Sequence, residues 1–109
     1  MPREDRRIYF SYDETYKAIY ALAMQKGLKK PPPGEIVKIE KSEGDDKQLV
    51  ITLQNPQENW DEPKKMEYSR DFIAAAFMLM CRGAGIPLPK SAKKSVVLSS
   101  NEIILRAEI

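Results

Sequence analysis

The chain has 109 residues, enough for one domain that buries a core without disulfide or metal staples. Apolar residues make up 42% and charged residues 31%, which excludes a disordered polyelectrolyte, and a net charge of +2 is too small to mark a polyanion binder by itself. With no histidine and a single cysteine, Cys81, a zinc cluster, a cysteine–histidine pair and an internal disulfide are excluded as well.

The N-terminal stretch carries Arg3, Arg6 and Arg7 and lacks the apolar region of an export leader. The longest apolar run, Phe72 to Cys81, is about half of the roughly 20 residues a membrane helix needs. A soluble cytoplasmic protein with no membrane contact is therefore expected.

Ile8 to Phe10 reads as a short strand, rich in β-branched and aromatic residues. Ser11 follows as a helix N-cap, with Glu14 completing a capping box and Asp13 suited to the positive helix end. Tyr16, Ile19, Tyr20 and Ala23 then fall on one helical face, and Gly27 with Pro31 to Pro33 stops the helix. Ile36, Val37 and Ile39, then Leu49, Val50, Ile51 and Leu53, flank a polar turn at Gly44 and predict a hairpin.

Residues 56 to 65 form a polar loop bounded by Pro56 and Pro63, with Trp60 inside it. Met66 to Tyr68 predicts another short strand. Ser69 caps a second helix with Asp71 in its first turn, ending at Gly83 or Gly85. Residues 86 to 94 are an extended connector, and the remainder is a second hairpin turning near Ser100 and Asn101.

The fold class is thus a single α+β domain, 1–109, of order β-α-β-β-β-α-β-β, with two helices on one side of mostly antiparallel strands. The order repeats, and so does part of the sequence. Shifted by 58 residues, Ser11, Asp13, Ala18, Gly27 and Pro31 fall on Ser69, Asp71, Ala76, Gly85 and Pro89. Half-repeats over 8–54 and 66–109 would explain this. So would shared capping and stop signals, which any strand–helix–hairpin unit needs.

The second helix is apolar nearly all round. Either it is a central core helix, or its second face, around Phe72, Ala76 and Met80, is covered by a partner, most simply in a homodimer. Ala74, Ala75 and Ala76 would allow close approach, and Met78 and Met80 would adapt to a partner.

Enzyme chemistry finds little support. Cys81 lies inside the apolar run and reads as a small buried hydrophobe, while Ser11 and Ser69 read as caps. Glu43, Asp45 and Asp46 share a turn but lack the spacing of a calcium loop. No catalytic residue, cofactor site or metal site is assigned.

Basic residues give the best positive signal. Arg6 and Arg7 precede the first strand, Lys29 and Lys30 follow the first helix, and Arg82, Lys90, Lys93 and Lys94 follow the second. If the halves are related by a pseudo-dyad, the two loops form a bipartite surface for phosphates or for an acidic protein. Cations at helix C-termini also have a plain dipole explanation. The loops carry prolines rather than the aromatics that nucleic-acid binding would favour. Trp60 either folds back over a sheet edge or anchors a partner. The resulting expectation is a non-enzymatic protein-binding or regulatory module. The alternative is a nucleic-acid-binding domain using the two basic loops.

Overall fold

Ser11 and Ser69 each turn a strand into a helix, and the rest of the architecture follows from those two corners. In the computed structural model, which describes residues 5–57, 62–88, 90 and 92–108, the elements are β1 (Asp5–Ser11), α1 (Tyr12–Lys26), β2 (Glu35–Ser42), β3 (Asp45–Gln54), β4 (Lys64–Ser69), α2 (Arg70–Gly83), β5 (Lys93–Leu98) and β6 (Glu102–Glu108). Ser11 is extended, and its Oγ accepts from the Glu14 backbone N–H at 3.1 Å while the Glu14 carboxylate accepts from the Ser11 N–H at 2.9 Å. Ser69 Oγ accepts from the Phe72 N–H at 3.0 Å. Phenylalanine at that position cannot return a bond, so α2 has half of the capping box.

The helix ends match more closely. Gly27 has φ 67° and Gly85 has φ 74°, the left-handed region that closes a helix. The Leu28 N–H donates to the Ala23 carbonyl at 2.8 Å and the Ile86 N–H to the Cys81 carbonyl at 2.8 Å. Each pair of positions is 58 residues apart.

All strand pairs are antiparallel, and the expected order of elements is the observed one. The strands do not form one layer. They divide into two three-stranded sheets, β1-β6-β5 and β2-β3-β4. Each sheet therefore takes its hairpin from one half of the chain and its third strand from the other. The registers correspond. Phe10 faces Ile103 in the first sheet and Tyr68 faces Leu49 in the second; Ile8 faces Leu105 and Met66 faces Ile51. Strand β1 thus plays the part of β4, and β6 the part of β3. A register shift at Val37 in β2 and the different hairpin turns change the spacing from 58 residues, which hides the second half of the correspondence from a fixed-offset comparison.

The helices pack against each other, and each touches strands of both sheets. The buried positions of α1 are Thr15, Ala18, Ile19, Leu22 and Ala23; α2 buries Ile73, Ala76, Phe77 and Cys81 at the matching places, and Ala74 besides. Phe77 is fully buried with its ring centroid 4.0 Å from that of Phe10. Burying such a side chain contributes about 1.5–3 kcal/mol. Enclosure between two sheets and α1 also explains why α2 is apolar on so many sides. Ala76, which the dimer alternative places on an uncovered face, is fully buried, and Phe72 and Met80 are half-buried, Phe72 stacked on Tyr68 at 5.1 Å.

One residue at the start of each helix ties the hairpins in. The Arg70 side chain donates to the Asp46 carbonyl at the tip of the β2–β3 hairpin and, at 2.6 Å, to the Val96 carbonyl in β5. It thereby links the two sheets. Tyr12, at the same place in α1, donates its hydroxyl to the Ser100 carbonyl at the tip of the other hairpin, at 3.4 Å. Among the described residues no helix is long and apolar enough to cross a membrane.

Candidate lysine cleft

The loop leaving α1 cannot stay helical after Gly27, and Pro31 to Pro33 hold it extended until β2 begins at Glu35. The chain is pinned there by two bonds: the Tyr16 hydroxyl donates to the Pro32 carbonyl at 3.0 Å, and the Asn55 side chain donates to the Pro33 carbonyl at 3.1 Å. This pinning sets Lys29 and Lys30 beside the first residues of β4. Lys29, Lys30, Pro32, Lys64, Lys65 and Met66 line a cleft of about 520 Å³. Four of those six residues are cations and none is an acid.

Burial raises the affinity of Tyr16 for its proton, with the neighbouring Tyr20 adding to it, so the phenol stays a donor at neutral pH. Tyr68 is raised likewise, by burial first and then by Tyr16. The two rings of Tyr16 and Tyr20 stack at 6.2 Å, and the Lys30 ammonium lies 5.7 Å from the Tyr20 ring centroid. The basic loop therefore has an aromatic neighbour after all. It comes from α1, since the loop itself carries prolines and no aromatic residue.

The other basic loop lies at the end of α2. Arg82, Lys90 and Lys94 line a smaller cleft of about 300 Å³ with Met78, Ile86, Pro87 and Leu88. The Arg6 guanidinium donates to the Pro87 carbonyl at 3.3 Å, which attaches it to the same loop. The two clefts share no lining residue. Lys93 stands apart, exposed on β5 opposite Glu108. Arg6 and Arg7 lie within β1 rather than before it, because β6 offers partners as far as Glu108 and so draws Asp5 to Arg7 into the ladder. Arg7 lines neither cleft and is 3.6 Å from Asp5, so its charge already has a carboxylate. Trp60 and Arg3 lie outside the described residues.

Lys64 and Lys65 carry no ligand-binding signal of their own. They sit in a stretch whose polar sequence reads as loop, and only the pairing of β4 with β3 brings them to the lysines after α1. The remaining candidates fall where capping and burial put them. Cys81 is 1% exposed and burial pushes its thiol up, away from the reactive thiolate. Asp45 uses its carboxylate to accept from the Lys47 N–H inside the hairpin turn. Among the described residues no three acidic or cysteine side chains converge as a metal site would need.

Compared with protein-family models, with characterised proteins and with solved structures, the chain finds no match.

Proposed function

We propose that this protein is a non-enzymatic binding module whose lysine cleft takes the phosphate backbone of a nucleic acid, single strands above all. The observation that carries the reading is the convergence of Lys29, Lys30, Lys64 and Lys65 on one cleft, with no carboxylate among the described residues that line it. A polyanion gains there from charge attraction and counterion release, and four cations supply a meaningful electrostatic footprint. Tyr20 and Met66 give flat or polarizable surface beside those charges, which suits unstacked bases better than a duplex. The non-enzymatic part rests on a chain without histidine whose one thiol is buried.

The test is fluorescence anisotropy with labelled single-stranded DNA and RNA of about 20 nucleotides at low salt. Binding should fall at least tenfold when Lys29, Lys30, Lys64 and Lys65 are all replaced by glutamine. A parent protein that leaves such oligonucleotides free would overturn the reading.

Protein binding remains a second reading, favoured by a different surface. The outward face of the β1-β6-β5 sheet exposes Tyr9 and Val97.

A further inference from the structure

Side chains alternate across a strand, so the inward set of the first sheet (Phe10, Val96, Ile103, Leu105, Ala107) fixes the outward set. Tyr9 pairs with Ile104, and Ile104 with Val97, so these three form one row across all three strands on the outer face. Tyr9 is 53% exposed and Val97 39%, with Ile104 half-buried between them. The matching row of the second sheet is Glu67, Val50 and Glu40. Two sheets built on one plan thus differ where it matters for contact. One sets glutamates on either side of its central valine, and the other sets a tyrosine and a valine beside its central isoleucine.

Four of the charges around the apolar row are tied to one another. The Arg106 guanidinium donates to Asp5 at 2.8 Å and lies 3.4 Å from Glu108, and Arg7 is 3.6 Å from the same Asp5. Among the described residues the outward positions carry three acids, Asp5, Glu102 and Glu108, and three bases, Arg7, Lys93 and Arg106, so their charges balance. An apolar strip inside a rim of charges of both signs has the anatomy of a protein interface.

We infer that this face is where a second copy of the chain docks, sheet against sheet, with Tyr9, Ile104 and Val97 of each copy at the centre. A neutral face that carries both signs can meet its own two-fold image without net repulsion, whereas a strongly acidic or basic partner would gain nothing from it. Two such sheets stack about 10 Å apart with their strands roughly 30° out of line, which suits three short strands. The size of the face sets the strength. Strands of six or seven residues, about 4.8 Å apart, present only a few hundred Å² per copy, less than the roughly 800 Å² per partner of a standard interface, so the dimer is weak and reversible and fills only toward high micromolar concentration.

The pseudo-equivalent sheet supplies the test variant. Tyr9→Glu with Val97→Glu gives the first sheet flanking glutamates like those the second already carries, so the fold should tolerate it. Sedimentation from about 1 to 500 µM should show the parent rising from 12.5 kDa toward twice that mass. The double variant should stay monomeric with an unchanged circular dichroism spectrum and denaturation midpoint. Over the same range, NMR shifts should move at Tyr9, Val97 and Ile104 and stay constant around Lys29 and Met66. A parent that remains monomeric, a variant that associates as the parent does, or shifts centred on α2 instead would each overturn the assignment. None of these outcomes depends on nucleic-acid binding at the lysine cleft.

Discussion

Gly27 and Gly85 close α1 and α2 with the same two backbone bonds. Each glycine donates its N–H to the carbonyl three residues back, Met24 at 3.2 Å and Arg82 at 3.3 Å, and the residue after each donates five back at 2.8 Å. Space is free around both, with nothing within 4 Å of where a Cβ would stand. The cost of a side chain is therefore purely conformational.

Gly27→Ala and Gly85→Ala should consequently lose similar amounts of stability. Forcing alanine into the left-handed region costs about 1–2 kcal/mol, partly offset by about 0.4–1 kcal/mol from a stiffer unfolded chain. Urea midpoints should fall by a comparable, modest step for both variants. A large drop at only one of them would mean that the two helix ends are not held alike.

The caps make a parallel case. Ser11→Ala and Ser69→Ala should each cost about 0.5–2 kcal/mol. Ser11→Ala leaves the Glu14 bond to the backbone intact, so it should fall toward the lower end, and Ser69→Ala, with no such return bond, toward the upper. Denaturant titration of the two single variants ranks them.

Arg70→Met should be more damaging than its half-exposed position suggests. It removes the donors to the Asp46 and Val96 carbonyls, and charge-assisted bonds of this kind contribute about 1.5–3 kcal/mol each at most. Hydrogen exchange of the hairpin tip and of β5 should accelerate together. Faster exchange at the tip alone would mean that the tie between the sheets does not matter.

Asp5 sets an acid limit. The hydrogen bonds from Arg106, opposed by desolvation and helped by the charges of Arg106 and Arg7, hold its carboxyl below the usual 3.8. A carboxyl lowered on folding contributes stability that is complete above its ordinary value and lost as pH falls through the lower folded value. The midpoint difference between the parent and Asp5→Asn should be present at pH 7 and fade as the pH falls below the ordinary carboxyl value of 3.8. A difference that persists in acid would show that the pair acts through packing rather than charge.

Salt dependence checks the cleft quantitatively. If all four lysines engage phosphates of a single strand, log affinity should fall with log salt at a slope near −3, about 0.7 per contact. Each lysine replaced by glutamine should reduce that slope by about 0.7. A slope near −1 for the parent would leave most of the cleft unengaged.

The order of elements was legible because its signals are local. Ser11, Glu14 and Gly27 act on backbone groups within five residues, and hydrophobic alternation marks Ile36 to Leu53 as a hairpin without knowledge of anything distant. The division into two sheets was not legible. It depends on Ile8 finding Leu105 and Met66 finding Ile51, pairings that no local pattern distinguishes from those of a single six-stranded layer. The candidate site was half legible for the same reason. Lys29 and Lys30 stand out as a basic run, but Lys64 and Lys65 join them only through strand pairing, and Tyr20 joins them only through the turn of a helix.

The exchange of strands between halves has a consequence for any shorter chain. A fragment holding only β1, α1, β2 and β3 would lack β6 beside β1 and β4 beside β3. Because β1 and β4 are interchangeable in register, the β1 of another fragment fits the vacant edge of β3, and a two-fold pair of fragments would rebuild both ladders. For such a fragment, folding and association are one event, and its stability would climb with concentration. In the full chain the connection between β3 and β4 supplies the second unit at a fixed, high effective concentration, and the fold no longer depends on how dilute the protein is.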